Sequence, residues 1–272
     1  MAADSTAPLR LRAYGHIQAK MLSGQLLPGA VVSEQSIAEE LGMSRTPVRD
    51  AIRHLEREGM LAPVPRYGTV VRDLDRRDLA DLFELREALE PFAVARATGR
   101  LSREDVAALV GFCQEIRALA TGLGRSRGQA LDAQGMRRLL EADMAFHLTL
   151  LRAAGNPRLL KIVSDSRLLA GVLGARRQEH TRDVLLHTCR EHDAILRAAA
   201  AGDARTAARL MAKHIRSSRD QALAAHDSEP RGGRAHAGAA VLPPGFLAGS
   251  PPPGASRPRH RKPKSRRRTS PE

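Results

Sequence analysis

The chain has 272 residues and a formal charge of +14, long enough for two modest domains that each bury a core. The charge is uneven: residues 1–73 carry +1, residues 74–227 +5 and residues 228–272 +8, so any nucleic-acid affinity of the N-terminal part must come from local placement of arginines. Cys113 and Cys189 are too few and too far apart for a disulfide framework or zinc knuckle, and no uncharged run could span a bilayer. A cytoplasmic protein with buried free thiols and no membrane partner is expected.

Residues 1–8 read as a disordered leader. Leu11, Tyr14, Ile17 and Met21 then repeat at helical spacing, predicting a helix that ends at Gly24. Leu27-Pro28-Gly29 turns the chain. Ser33 is an N-cap, Ile37 and Leu41 share one face of a short helix, and Gly42 ends it. Ser44 caps the next helix, where Pro47 lies inside the first turn. Val48, Ala51, Ile52 and Leu55 form its apolar arc, and Arg45, Thr46, Arg49 and Arg53 fall outside that arc. This is a helix-turn-helix pattern. Two short β-prone runs around Pro65-Arg66-Tyr67-Gly68 then predict a hairpin wing.

Leu27-Pro28-Gly29, Ser33-Glu34, Ile37-Ala38, Leu41-Gly42, Ser44 through Ala51, Leu55, Glu58-Gly59 and Arg66-Tyr67-Gly68 form one long ordered pattern. In that pattern the chain resembles the GntR-type bacterial transcription regulators. The resemblance implies double-stranded DNA as a partner, a palindromic operator and a homodimer. It assigns DNA contact to Glu34, Ser44, Arg45, Thr46, Arg49, Arg66 and Gly68. Many members carry Arg after the residue matching Glu34; here it is Gln35, which removes one phosphate or base contact.

From Asp75 to His226 the periodicity is helical throughout. Leu79, Leu82, Phe83, Leu85 and Leu89 mark one helix, with Pro91 inside it and a stop near Gly99. Ser102 opens the next, with Val106, Leu109, Val110, Cys113 and Ile116 inward. A glycine-rich loop covers residues 122–128. Three further helices follow, over about Asp132–Ala154, from Asn156-Pro157 and over about Thr181–Ala200, and Asp203 caps a sixth. The fold class expected is mostly α: a winged helix-turn-helix (9–73) followed by an all-α antiparallel bundle (74–227) for effector binding and dimerisation. Residues 228–272 are rich in Pro, Gly and positive charge and read as a disordered tail adding sequence-independent DNA attraction.

Asp143 and His147, at i and i+4, share one helix face, and His192 and His214 sit on two later helices beside apolar residues. Spacing alone leaves ordinary hydrogen-bonded pairs as open as an N₃O metal site. Asp143-x-x-Phe146-His147, Gly155-Asn156-Pro157, Glu191-His192-x-x-Ile195 and His214 resemble the metal-binding branch of the FadR-type sensing domain. That resemblance makes Asp143, His147, His192 and His214 ligands of a divalent metal, zinc or nickel, which in turn holds a small carboxylate-bearing effector. It also sets Arg86 near the effector; the other reading of Arg86 is a surface residue paired with Glu90 at i+4. His180 and His187 match no ligand position and read as ordinary surface or core histidines. The expectation is a regulator, a repressor rather than an enzyme. The alternatives are a sensor whose signal is the metal itself, or a metallohydrolase, which would need a general base the sequence does not offer.

Overall fold

The structure, a computed structural model, describes residues 8–123, 130–174 and 180–228. The leader up to Ala7, most of the glycine-rich loop and the tail from residue 229 lie outside the described residues. The head comprises α1 (Leu9–Ser23), α2 (Glu34–Leu41), α3 (Arg45–Arg57), β1 (Leu61–Val64) and β2 (Gly68–Val71). The bundle follows as α4 (Arg76–Ala97), α5 (Arg103–Gly122), α6 (Ala133–Ala153), α7 (Pro157–Gly174), α8 (Arg182–Ala200) and α9 (Ala204–Ser228). This is the mostly helical architecture expected. Among the described residues no helix is long and apolar enough to cross a membrane.

Local chemistry sets most boundaries. The Ser33 hydroxyl accepts the Ser36 N–H at 3.2 Å, and Gly42 closes α2 at φ 61, a left-handed conformation that L side chains avoid. Ser44 stands at the N-cap of α3, but its side chain accepts no capping hydrogen bond, contrary to expectation. Ser102 and Asp105 form a reciprocal capping box, Asp75 and Asp132 cap α4 and α6, and Asn156 accepts the N–H groups of Arg158 and Leu159. Pro91 is accommodated inside a continuous α4.

The wing is an antiparallel pair in the register Leu61↔Val71 to Val64↔Gly68. The segment before α2 adds to it: Val32 N–H donates to the Thr69 carbonyl and Gly29 N–H to that of Val71, each at 2.8 Å. That contact was not legible in the sequence, because a pairing so short carries no periodicity.

All four members of the α3 arc, Val48, Ala51, Ile52 and Leu55, are buried. Two other faces are rotated from those expected. On α1 the buried residues are Ala13, Ile17 and Met21, with Leu11 49% exposed; on α5, Val110 is exposed while Leu109, Cys113 and Ile116 are buried. Both cysteines are free and buried.

One hydrophobic cluster runs from Ile17, Val48 and Leu55 of the head to Leu79, Phe146, Ile195 and Ile215 of the bundle. α1 packs against α6 and α7, and a Cβ on Gly59, just past α3, would lie 3.6 Å from Leu169 of α7. A fully buried residue at this junction supports both parts. Ile17→Ala is expected to lower global stability by about 2–5 kcal/mol while the chain still unfolds in one transition. Calorimetry checks this; a head that melted separately from the bundle would show that the shared cluster does not couple them.

Candidate effector site and nucleic-acid interface

Three helices bring the cluster together. α6 carries Asp143 and His147 on one face, α8 carries His192 and α9 carries His214. One ligand-type atom from each of these residues lies within 4.8 Å of the others. The Nε2 atom of His192 is 3.4 Å from His214 Nε2 and 3.5 Å from Asp143 Oδ1, and His147 Nε2 is 3.9 Å from the same oxygen. The three imidazoles are buried, whereas the Asp143 side chain is 28% exposed and, with His214, lines an adjoining cavity of about 350 Å³.

The imidazoles are aimed by partners behind them. His147 Nδ1 donates to Glu90 Oε2 at 2.5 Å and His214 Nδ1 to Glu191 Oε2 at 2.9 Å, so the Nε2 atoms of both face the cluster. Phe146 stacks flat on the His192 ring at a centroid distance of 4.0 Å. His147 Nε2 is buried with no hydrogen-bond partner among the described residues. A buried nitrogen left unsatisfied costs free energy, and a ligated ion removes that cost.

A divalent ion with bonds of about 2.1 Å sets its ligand atoms about 3.0–3.4 Å apart, close to the spacings around His192. The donor set of three neutral imidazoles and one carboxylate suits zinc or nickel. The residues present fit such a group.

Behind the cluster sits Glu90, 1% exposed. Its carboxylate accepts Arg86 Nε at 2.8 Å, Arg167 Nη1 at 3.0 Å and His147 Nδ1. Arg167 reaches on to Asp143 through its Nη2. Burial alone would raise the Glu90 carboxyl, but Arg167, His147 and Arg86 hold it well below the ordinary carboxylate range. Asp143 is likewise held low against its own desolvation by Arg167 and the three imidazoles. Burial, with Arg167 second, pushes His147 down to about 4, and burial, with His214 second, lowers His192 well below its usual value. Neutral imidazoles are the form that binds metal. With them neutral, Glu90 and Asp143 balance Arg86 and Arg167, and Glu191 behind His214 adds one negative charge, so a divalent ion would leave about one positive charge for an added anion to meet.

Arg86 therefore is not the surface residue of the alternative reading. It is paired with Glu90, as that reading has it, but is only 5% exposed and lines the cavity with its guanidinium over the Phe83 ring. Glu90, Arg167 and Glu191 were missed in the sequence. A signal existed for two of them: Phe83, Arg86, Glu90 and Val94 share one buried stripe of α4, and Arg167 falls between Val163 and Ala170 on α7. Charged residues on an apolar stripe mark a buried network. His180 is buried at the cavity wall, and His187, half-buried, lies 3.2 Å from Glu191 Oε1.

The second candidate site is the exposed start of α3. Ser44, Arg45, Thr46 and Arg49 are all exposed, and so are Arg66 and Gly68 at the wing tip. Arg66 has φ 70 and Gly68 φ 95, the left-handed backbone of a tight turn at the tip. Glu34, expected as a DNA contact, acts here within the protein: it accepts Arg49 Nε and Nη2, each at 2.9 Å, and Arg45 Nη2 at 3.0 Å. The Arg49 bonds, joined by the one from Arg45, lower its carboxyl to about 2. Glu34 thus orders the two arginines side by side. Gln35 turns instead to Glu39, with Nε2 donating at 2.9 Å.

A winged helix-turn-helix joined to a helical bundle is the architecture of a class of transcription regulator. The chain belongs to the gntR family of bacterial regulatory proteins: residues 9–71 match that family and residues 81–217 match the FCD domain, a combination that fits the FadR-like subgroup. It is a DNA-binding regulator and not an enzyme.

Relatives include YdhC of Bacillus subtilis (strain 168), an uncharacterized HTH-type transcriptional regulator. It is 26% identical over 69% of this chain and 72% of its own length. A probable D-xylose utilization operon transcriptional repressor from Paenarthrobacter nicotinovorans is 34% identical over 52% of this chain and 58% of its own. The solved E. coli McbR/YncC structure has the same fold, with a TM-score of 0.65 and 22% identity, covering 78% of this chain and 96% of that one.

Folded His147 and His192 resist protonation, whereas the unfolded chain takes up protons at the ordinary value of 6.5. Below that pH the unfolded state therefore binds more protons, and stability falls as pH falls toward about 4. Metal-free protein is expected to show a lower thermal midpoint at pH 5 than at pH 7. A midpoint that rose toward pH 5 would show that the folded imidazoles carry protons.

Proposed function

We propose that this regulator is a homodimeric repressor of a palindromic operator, responsive to a small carboxylate-bearing effector held at a divalent metal, zinc or nickel, by Asp143, His147, His192 and His214. The observation that carries the reading is the convergence of those four side chains beside a cavity that Asp143 and His214 line. When bound, the ion supplies Lewis acidity and the positive charge that an anionic effector meets. Glu90 and Glu191 hold His147 and His214 in one tautomer, and Arg167 holds Asp143. Arg86, lining the cavity, adds a second cation for the effector.

In the head, Arg45 and Arg49 read base edges, Ser44 and Thr46 contact phosphate, and Arg66 and Gly68 bring the wing to the backbone. Glu34 sets the spacing of the arginines. Leu85 and Phe92 of α4 are 38% and 55% exposed, and Ile162 of the adjoining α7 is 46% exposed. A second copy covering that face supports two-fold symmetry and a palindromic site. A sensor of metal alone would leave the cavity without a role.

An operator recovered from a random duplex pool allows three tests. Arg45→Ala is expected to weaken operator binding about ten-fold or more, since a bidentate arginine contact is worth about 1–3 kcal/mol. Unchanged affinity in a gel-shift series would remove Arg45 from base reading. Next, His192→Ala and His214→Ala are expected to lose bound metal, by mass spectrometry, and response to added organic acids, while operator binding by the unliganded protein persists. Full response in metal-free protein would sink the metal-centred pocket. Finally, Glu191→Gln should weaken metal affinity about 10–100-fold through His214; an unaltered affinity would mean that this carboxylate does not tune the ligand.

A further inference from the structure

The cavity beside the cluster is walled in part by the DNA-binding head. Gly15, Gln18, Ala19 and Leu22, one face of α1, line it together with Asp143, His214, Ser218 and Gln221 of the bundle. Of the four residues from α1 only Gln18 is polar. Its Nε2 donates to Tyr14 Oη at 2.8 Å and approaches Met60 Sδ at 3.8 Å, which leaves the amide carbonyl Oε1 to accept from a cavity occupant.

Tyr14 carries the contact onward. Its hydroxyl donates to Glu58 Oε2 at 2.9 Å, its ring meets His54 edge-on at 5.3 Å, and His54 Nε2 lies 3.1 Å from Glu58 Oε1. His54 is in the last turn of α3 and Glu58 is its C-cap. Two side chains thus connect the cavity wall to the end of the recognition helix.

The lining also says what the far end of an occupant should be. On α9 the cavity runs from His214 to Gln221, seven residues or about 10 Å of helix. Beyond the cluster its polar lining includes the neutral groups of Gln18, Ser218 and Gln221, and the Arg137 side chain there is paired with Glu141 at 3.9 Å. The neutral groups of Gln18, Ser218 and Gln221 offer hydrogen bonds to an uncharged polar group at that end.

We propose that α1 of the head completes the effector site, with Gln18 Oε1 accepting from a hydroxyl on the distal end of a hydroxy-acid. Occupancy then reaches α3 through Gln18, Tyr14 and Glu58. This rests on the reading that an organic acid binds at the metal cluster.

Calorimetry on the full-length, zinc-loaded protein tests it, with 4-hydroxybutyrate and 6-hydroxyhexanoate compared against butyrate and hexanoate. At least one hydroxy-acid is expected to bind about ten-fold tighter than its unsubstituted partner, and Gln18→Leu to abolish that preference. Hydrogen exchange should show α1 and the end of α3 protected by the preferred hydroxy-acid in the parent protein only.

Gly15→Leu is a second variant. A Cβ at Gly15 meets nothing within 4 Å, and Leu favours the helix, so folding is kept while the wall closes. It should weaken all acids that bind.

If the plain acids bind with zinc but no hydroxy-acid is preferred, or a preference survives Gln18→Leu, the role of α1 is overturned and the metal-centred reading stands. Unchanged binding by Gly15→Leu likewise overturns α1 as a wall. If no acid binds the zinc-loaded parent, both readings fall.

Discussion

The bundle depends on one buried negative charge. Glu90, on α4, is nearly inaccessible, yet it receives a guanidinium from its own helix, a second from α7 and an imidazole from α6. Breaking a buried pair by removing one partner typically costs about 3–5 kcal/mol, because the remaining charge is uncompensated. Three helices must therefore hold their relative register for Glu90 to be tolerated. That same register is what turns His147 toward His192 and His214. The histidine cluster is thus the product of a structural constraint, and the cavity inherits its polarity from it.

The head uses the same device under opposite conditions. Glu34 gathers Arg45 and Arg49 much as Glu90 gathers Arg86 and Arg167, but it does so at the surface. Exposed ion pairs contribute about 0–1 kcal/mol and are screened by salt. The Glu34 arginines are consequently ordered yet free to exchange a carboxylate for phosphate or a base edge. The Glu90 arginines are buried around their carboxylate and stay fixed. Solvent decides which carboxylate serves as a loose template and which as a permanent anchor.

Between the two lies α1, which belongs to the head by sequence and touches the bundle by packing. Its Ala13, Ile17 and Met21 face enters the shared hydrophobic cluster, while the neighbouring face borders the cavity. A helix with both roles gives the head and the cavity a common element.

Sequence by itself determined the local pieces. The capping residues Ser33, Ser102 and Asn156, the left-handed Gly42, the α3 arc and the hairpin around Arg66 all act over a few residues, and their signals are local. The same holds for the mostly helical class, and a resemblance across a long motif named the family. It also named Asp143, His147, His192 and His214, which the fold brings together. What only the tertiary structure decided were facts that depend on neighbours distant in the chain. Whether Leu11 and Val110 face inward turns on a rotation of a fraction of a helical turn, which periodicity in a short helix does not resolve. The Arg86–Glu90 pair is compatible by spacing with either surface or core; burial by α7 makes it core, and it does so because Arg167, 77 residues further on, arrives to share the charge.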